Sequence, residues 1–164
     1  AENGLMNGTS GSTFSPLENL TRAQLTAVLY RMDGSPAVSG TCSFTDAKRG
    51  AYYADALVWA ERNALVNGYG SGAFGVGDAI TREQLVTILY RYAAYKGIDV
   101  SARADLSGYR DAEKISGYAR DAFGWAVEAG LIRGSGDLLN PQGRTTRAEY
   151  AAIAARFHKT FIAK

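Results

Sequence analysis

The stretches Asn19-Leu-Thr-Arg-Ala-Gln-Leu25, Ala79-Ile-Thr-Arg-Glu-Gln-Leu85 and Arg144-Thr-Thr-Arg-Ala-Glu-Tyr150 are three variants of one heptapeptide. Each has the pattern of a helix start. Thr21, Thr81 and Thr146 stand where an N-cap belongs, so that a hydroxyl can accept from an otherwise unpaired amide of the first turn. Gln24, Gln84 and Glu149 occupy the third helical position, and with the threonines they have the spacing of a capping box. Apolar residues then follow at Leu25, Val28, Leu29 and Met32, at Leu85, Ile88, Leu89 and Tyr92, and at Tyr150, Ile153, Ala154 and Phe157. That spacing (i, i+3, i+4, i+7) predicts three helices, each with a single buried stripe.

A second landmark lies upstream of each heptapeptide: Gly4-Leu-Met-Asn-Gly8, Ala64-Leu-Val-Asn-Gly68 and Gly130-Leu-Ile-Arg-Gly134. Between the landmarks, Phe14, Phe74 and Leu139 sit in glycine-rich turns. Downstream come Arg31, Arg91 and Arg156, in the last helical turn, where positive charge suits the helix dipole. Several markers in one order, three times over, define a repeat. Two copies carry a further part. Phe44-Thr-Asp46 leads into Asp55-Ala-Leu-Val-Trp59-Ala60, and Tyr109-Arg-Asp111 leads into Asp121-Ala-Phe-Gly-Trp125-Ala126. This part predicts a first helix, with Asp46 or Asp111 placed to cap it. Glycine clusters such as Gly68-Tyr-Gly-Ser-Gly72 exclude helix between the two.

The repeats therefore span 1–31 (truncated at its N-terminus), 44–91 and 109–157, joined by linkers 32–43 and 92–108. A lone helix pair cannot bury both stripes. The expectation is a single all-α domain, 1–164, of three helix-loop-helix repeats with pseudo-threefold symmetry around a central helical bundle.

Composition narrows the chemistry. The 164 residues are long enough to bury a core, and a formal charge of +2 gives no field that argues for nucleic acid or an anionic membrane surface. No apolar run approaches the roughly 20 residues of a membrane span. The opening Ala1-Glu2-Asn3 reads as the middle of a unit, so an export signal is expected upstream. One cysteine, Cys42, makes neither an internal disulfide nor a thiolate zinc site. One histidine, His158, excludes a catalytic triad and a histidine-rich metal site. Neither a catalytic residue nor a cofactor or metal is expected.

The arginines of the heptapeptides, Arg22, Arg82 and Arg147, need an explanation. A cation in the first helical turn opposes the macrodipole, at a cost of about 0.3–1 kcal/mol in exposed settings. Two readings offset that cost. Free backbone N–H groups and a guanidinium at one helix start suit a carboxylate or phosphate. Alternatively, each arginine forms a structural ion pair with an aspartate of the neighbouring unit, such as Asp46 or Asp111. Trp59 and Trp125 have flat faces suited to stacking on a sugar, although their helical spacing argues for the core.

The combination of Phe-x-Asp, Asp-x3-Trp-Ala, Leu-x-x-Gly, an aromatic in a glycine-rich loop and Thr-Arg-Ala-Glu resembles the S-layer homology family over nearly the whole chain. The last signature stands here as Thr21-Arg-Ala-Gln24, Thr81-Arg-Glu-Gln84 and Thr146-Arg-Ala-Glu149. The resemblance implies a non-catalytic extracellular module at the bacterial cell surface, binding secondary cell-wall polysaccharide in grooves between repeats. It further implies a pyruvylated N-acetylmannosamine-type sugar whose carboxylate is met by Arg22, Arg82 and Arg147. Asp46, Asp111, Asn67, Gly68, Trp59 and Trp125 are carried over as groove-lining residues. The chain departs from the family pattern at Gln24 and Gln84, which replace glutamate, and at Arg133, which stands where Asn7 and Asn67 stand. It also lacks the first helix of the first repeat, so another segment or molecule is expected to fill that gap. Two other readings remain open: a self-association module of a surface lattice, and the anchoring fragment of a wall hydrolase.

Overall fold

The computed structural model describes residues 15–163; the landmark at 4–8 and Phe14 lie outside them. The described residues form five α-helices: α1 (Arg22–Met32), α2 (Ala54–Arg62), α3 (Arg82–Tyr95), α4 (Arg120–Glu128) and α5 (Arg147–Phe157). Short 3₁₀ turns at Ala112–Lys114 and Gly117–Ala119 precede α4, and a π-helical turn at His158–Ile162 follows α5. The described residues contain isolated β-bridges but no strand, so the class is all-α. No helix among them is long and apolar enough to cross a membrane.

The heptapeptides start α1, α3 and α5 with complete capping boxes. Thr21 Oγ1 accepts from the Gln24 amide at 3.1 Å while the Gln24 side chain accepts from the Thr21 amide at 2.9 Å. The same reciprocal pair forms between Thr81 and Gln84 and between Thr146 and Glu149. Glutamine offers the same carbonyl acceptor as a carboxylate oxygen, so its replacement of glutamate leaves the box intact. The apolar stripes are buried apart from Met32 and Ala154, which are half-buried. Leu25 and Leu85 are inaccessible to solvent, as are Tyr150 and Phe157.

The chain divides into two compact units, 1–79 and 80–164. The division falls inside the second repeat, between its glycine-rich loop and its second helix. In the first unit α1 packs on α2, and in the second α3 packs on α4. Each packed pair therefore joins the second helix of one repeat to the first helix of the next. Equivalent aromatic pairs seal both contacts. Tyr30 meets Trp59 at 5.6 Å between ring centroids, and Tyr90 meets Trp125 edge-on at 5.7 Å. Burial of such large apolar faces is the main favourable contribution to a small helical core.

Two aspartates do other work than their positions suggest. The first helices carry no side-chain cap: Tyr53 and Ala119 occupy the N-cap positions of α2 and α4. Asp46 and Asp111 lie too far upstream to reach those helix starts, and both carboxylates turn instead to the glycine-rich loops.

Candidate functional site

Each unit builds the same junction from its loop. In the first unit, Asp46 Oδ1 accepts from the Phe74 amide at 2.7 Å, and Oδ2 accepts from Gly75 and Val76 at 2.8 and 2.9 Å. In the second unit, Asp111 accepts from Leu139 at 2.8 Å and Asn140 at 2.7 Å. The third bond is missing there because Pro141 has no N–H to donate. Burial is the largest influence on each carboxyl and opposes ionisation. The backbone N–H bonds together outweigh it and hold both below the ordinary aspartate value.

The aromatic residue of the same motif covers the loop. Phe44 packs on Phe74 at 5.1 Å. A Cβ added to Gly68 would stand 2.9 Å from the Phe44 ring and 2.8 Å from the Ala73 carbonyl oxygen. At Gly134 a Cβ would meet the Tyr109 ring at 2.7 Å. The glycine that ends each Leu-x-x-Gly landmark thus makes room for the aromatic ring of its own repeat. Gly68 is a packing residue here, and the exposed side chain of Asn67 takes no part in the junction, which uses its carbonyl.

Onto this loop the heptapeptide arginine of the preceding repeat docks. Arg22 Nε donates to the Phe74 carbonyl at 2.8 Å, and Nη2 donates to the Asn67 carbonyl at 3.0 Å. Its guanidinium carbon lies 4.5 Å from the centre of the Phe74 ring and 4.9 Å from that of Tyr69. Arg82 repeats the contact in the second unit, from Nε to Leu139 at 2.9 Å and from Nη2 to Arg133 at 3.3 Å. The charge that a helix start disfavours is therefore compensated by carbonyl dipoles and, for Arg22, by aromatic faces. The acceptors are carbonyls of the next loop, whereas Asp46 and Asp111 hold that loop's amides, so arginine and aspartate divide the loop's backbone groups between them. Arg147 holds the same place in α5 and is buried.

Backbone amides at the starts of α1 and α3 are also occupied. The Arg22 amide donates to Asp78 at 3.0 Å, the Arg82 amide to Gly143 at 2.9 Å, and the Glu83 amide to Pro141 at 2.9 Å. At α1 and α3 the idea of a free N–H cradle for an anion fails for this reason: the helix start pairs with the next repeat's loop. What remains for a ligand is guanidinium. Arg22 is 5% exposed, whereas Arg82 is half-buried. Three N–H groups of Arg82 have no hydrogen-bond partner among the described residues. Burial lowers the Arg82 pKa, and the negative charges of Glu149 and Asp111 oppose that shift, leaving a cation. Arg133, with an exposed side chain, adds a second guanidinium to the same loop.

The tryptophans belong to the core. Trp59 is 3% and Trp125 2% exposed. The Trp59 indole N–H donates to Asp33 Oδ2 at 3.2 Å, and Trp125 stacks on Phe161 at 5.9 Å. Neither presents a face to a sugar. Among the described residues the exposed aromatic side chains are tyrosines, including Tyr52, Tyr69 and Tyr118, which helical spacing alone does not single out. Glu83 is a second surprise: buried at the start of α3, it accepts from the Ser116 amide and hydroxyl and from the Tyr118 hydroxyl. It fixes the segment before α4.

Comparison with known proteins bears on the whole arrangement. The model of the S-layer homology domain matches residues 1–26, 43–86 and 108–151. The chain is 33% identical over 153 residues to an endoglucanase of Bacillus sp. (strain KSM-635), covering 93% of this chain and 16% of that protein. It is 27% identical to the surface-layer 125 kDa protein of Lysinibacillus sphaericus, over 93% of this chain and 13% of the relative. It is 26% identical to a cellulosome-anchoring protein of Acetivibrio thermocellus, over 92% of this chain and 34% of the relative. The chain thus spans only a minor part of the length of each.

Proposed function

Since the chain belongs to the S-layer homology domain family, we propose that it is a non-catalytic module that holds a protein to cell-wall polysaccharide. Its place is the cell surface. The similarity to an endoglucanase covers a small share of that enzyme, which fits a module carried beside a catalytic part.

The reading extends to the ligand: a glycan carrying a carboxylate, a pyruvate ketal on an N-acetylmannosamine-type sugar. The observation that carries it is Arg82. Two of its donors are pinned to the Leu139 and Arg133 carbonyls, which orients the planar fork, and its other N–H groups have no partner among the described residues. A half-buried, oriented guanidinium binds a carboxylate with less entropy to lose than a free side chain. Self-association of a surface lattice is the competing reading.

The test is calorimetric titration of the protein with a pyruvylated wall saccharide beside its depyruvylated form. Heat with the first and none with the second is expected. Arg82→Ala should abolish that site, and Arg82→Lys should not restore it, because an ammonium cannot make a bidentate contact. Equal binding of both saccharides would remove the carboxylate from the reading. A folded protein that ignores both and sediments as an oligomer would replace the reading with self-association.

A further inference from the structure

The two described arginine junctions differ at one loop position. In the first unit Tyr69 lies over the Arg22 guanidinium, 4.9 Å from ring centre to carbon, with Phe74 at 4.5 Å. Tyr69 is anchored at its far end, where its hydroxyl donates to Asp78 Oδ2 at 2.9 Å. It is also backed by the loop. Gly75 takes a left-handed φ of +78°, and a Cβ there would come within 2.7 Å of the Tyr69 ring. In the second unit the residue after the Leu-x-x-Gly glycine is Ser135. Among the described residues no ring covers Arg82, and it remains half-buried while Arg22 is 5% exposed.

We propose that Tyr69 is a fixed cover that closes the Arg22 junction to ligand, and that Ser135 leaves the Arg82 junction open. The position after the loop glycine therefore decides which copies of one arginine motif read a carboxylate and which are structural. Arg22 serves the fold, with its charge satisfied by two carbonyls and two aromatic faces. This inference rests on the carboxylate-reading role given to Arg82, but the cover itself is a statement about access and is tested without any saccharide.

Access is read by the arginine-selective dicarbonyl phenylglyoxal, with the modified residues located by peptide mass mapping. In the unaltered protein Arg82 should react several-fold faster than Arg22. Tyr69→Ser should bring Arg22 to the reactivity of Arg82, while Tyr69→Phe, which keeps the ring and loses the Asp78 bond, should leave it protected. Ser135→Tyr places the ring on the other unit and should protect Arg82, which keeps the question answerable even where Tyr69→Ser unfolds the first unit. Equal reactivity of the two arginines in the unaltered protein, or protection of Arg22 unchanged in a folded Tyr69→Ser variant, overturns the cover. Titration with pyruvylated saccharide gives the second arm: one additional site in Tyr69→Ser, and loss of the Arg82 site in Ser135→Tyr. If the phenylglyoxal pattern holds while no protein binds saccharide, the cover stands and the ligand reading falls.

Discussion

Asp46→Asn removes one charge and one acceptor from a carboxylate that holds three loop amides, at 2.7, 2.8 and 2.9 Å. The amide side chain keeps one oxygen. If that oxygen replaces Oδ1 it holds Phe74 and loses Gly75 and Val76; if it replaces Oδ2 the reverse follows. Its NH₂ then faces at least one backbone donor with nothing to offer. A hydrogen bond to a charged group contributes about 1.5–3 kcal/mol, and a neutral one about 1. One bond lost outright and the others weakened come to about 2–4 kcal/mol after allowance for the half-buried setting. For a chain of this size that is a fall in Tm of roughly 5–15 °C. The same carboxyl makes stability depend on pH. Its pKa is lower in the folded protein than the ordinary 3.8, so its contribution is complete above that value and is lost as pH falls through the lower, folded value. Asp111 acts in the same direction. Thermal melts by far-UV circular dichroism, from neutral pH down through the acid range, should show the unaltered protein losing stability that Asp46→Asn has already lost. A change below about 0.5 kcal/mol at neutral pH, the size of an ordinary surface substitution, would refute the loop-clamp role of Asp46.

Gly68→Ala should destabilise by about 1–3 kcal/mol, because the new methyl overpacks against Phe44 and a backbone carbonyl. Gly70→Ala, with nothing within 4 Å of an added Cβ, should fall within about 0.5 kcal/mol of the unaltered protein in the same denaturant titration. Tyr150→Phe and Thr145→Val should each stabilise by about 1 kcal/mol, seen as a rise in denaturation midpoint, since both hydroxyls are buried without a hydrogen-bond partner among the described residues. The equivalent pairs Leu20/Leu25 and Ile80/Leu85 fill the staple positions of α1 and α3 with apolar side chains and are fully buried. Arg22→Ala should cost stability in the first unit whether or not saccharide is present, whereas Arg82→Ala should act mainly on binding, a contrast visible by comparing melts with titrations.

The helix starts, the buried stripes and the repeat itself are legible in the residues because each is settled within about four positions of chain. Thr21 finds Gln24, and Thr146 finds Glu149, three residues away. No comparable local rule says where a long polar side chain ends. Arg22 reaches carbonyls 45 and 52 positions distant, and Asp46 reaches amides 28 to 30 positions distant. Charge alone left two readings open for the arginine, an anionic ligand or an ion pair with an aspartate such as Asp46. In the folded chain the loop offers both its carbonyls and its amides, and these backbone groups, which would otherwise be buried unpaired, take up Arg22 and Asp46 respectively. The same limit explains the aromatic residues. Helical period put Trp59 and Trp125 on a face, but which partner that face meets is set by the pairing of one repeat's second helix with the next repeat's first. Tyr69 lies in a glycine-rich turn with no periodicity at all, and only the left-handed backbone at Gly75 and the position of Asp78 bring its ring over Arg22. Local pattern therefore specified the elements and their number, while through-space pairing of loop and helix start specified which arginine is covered and which is open.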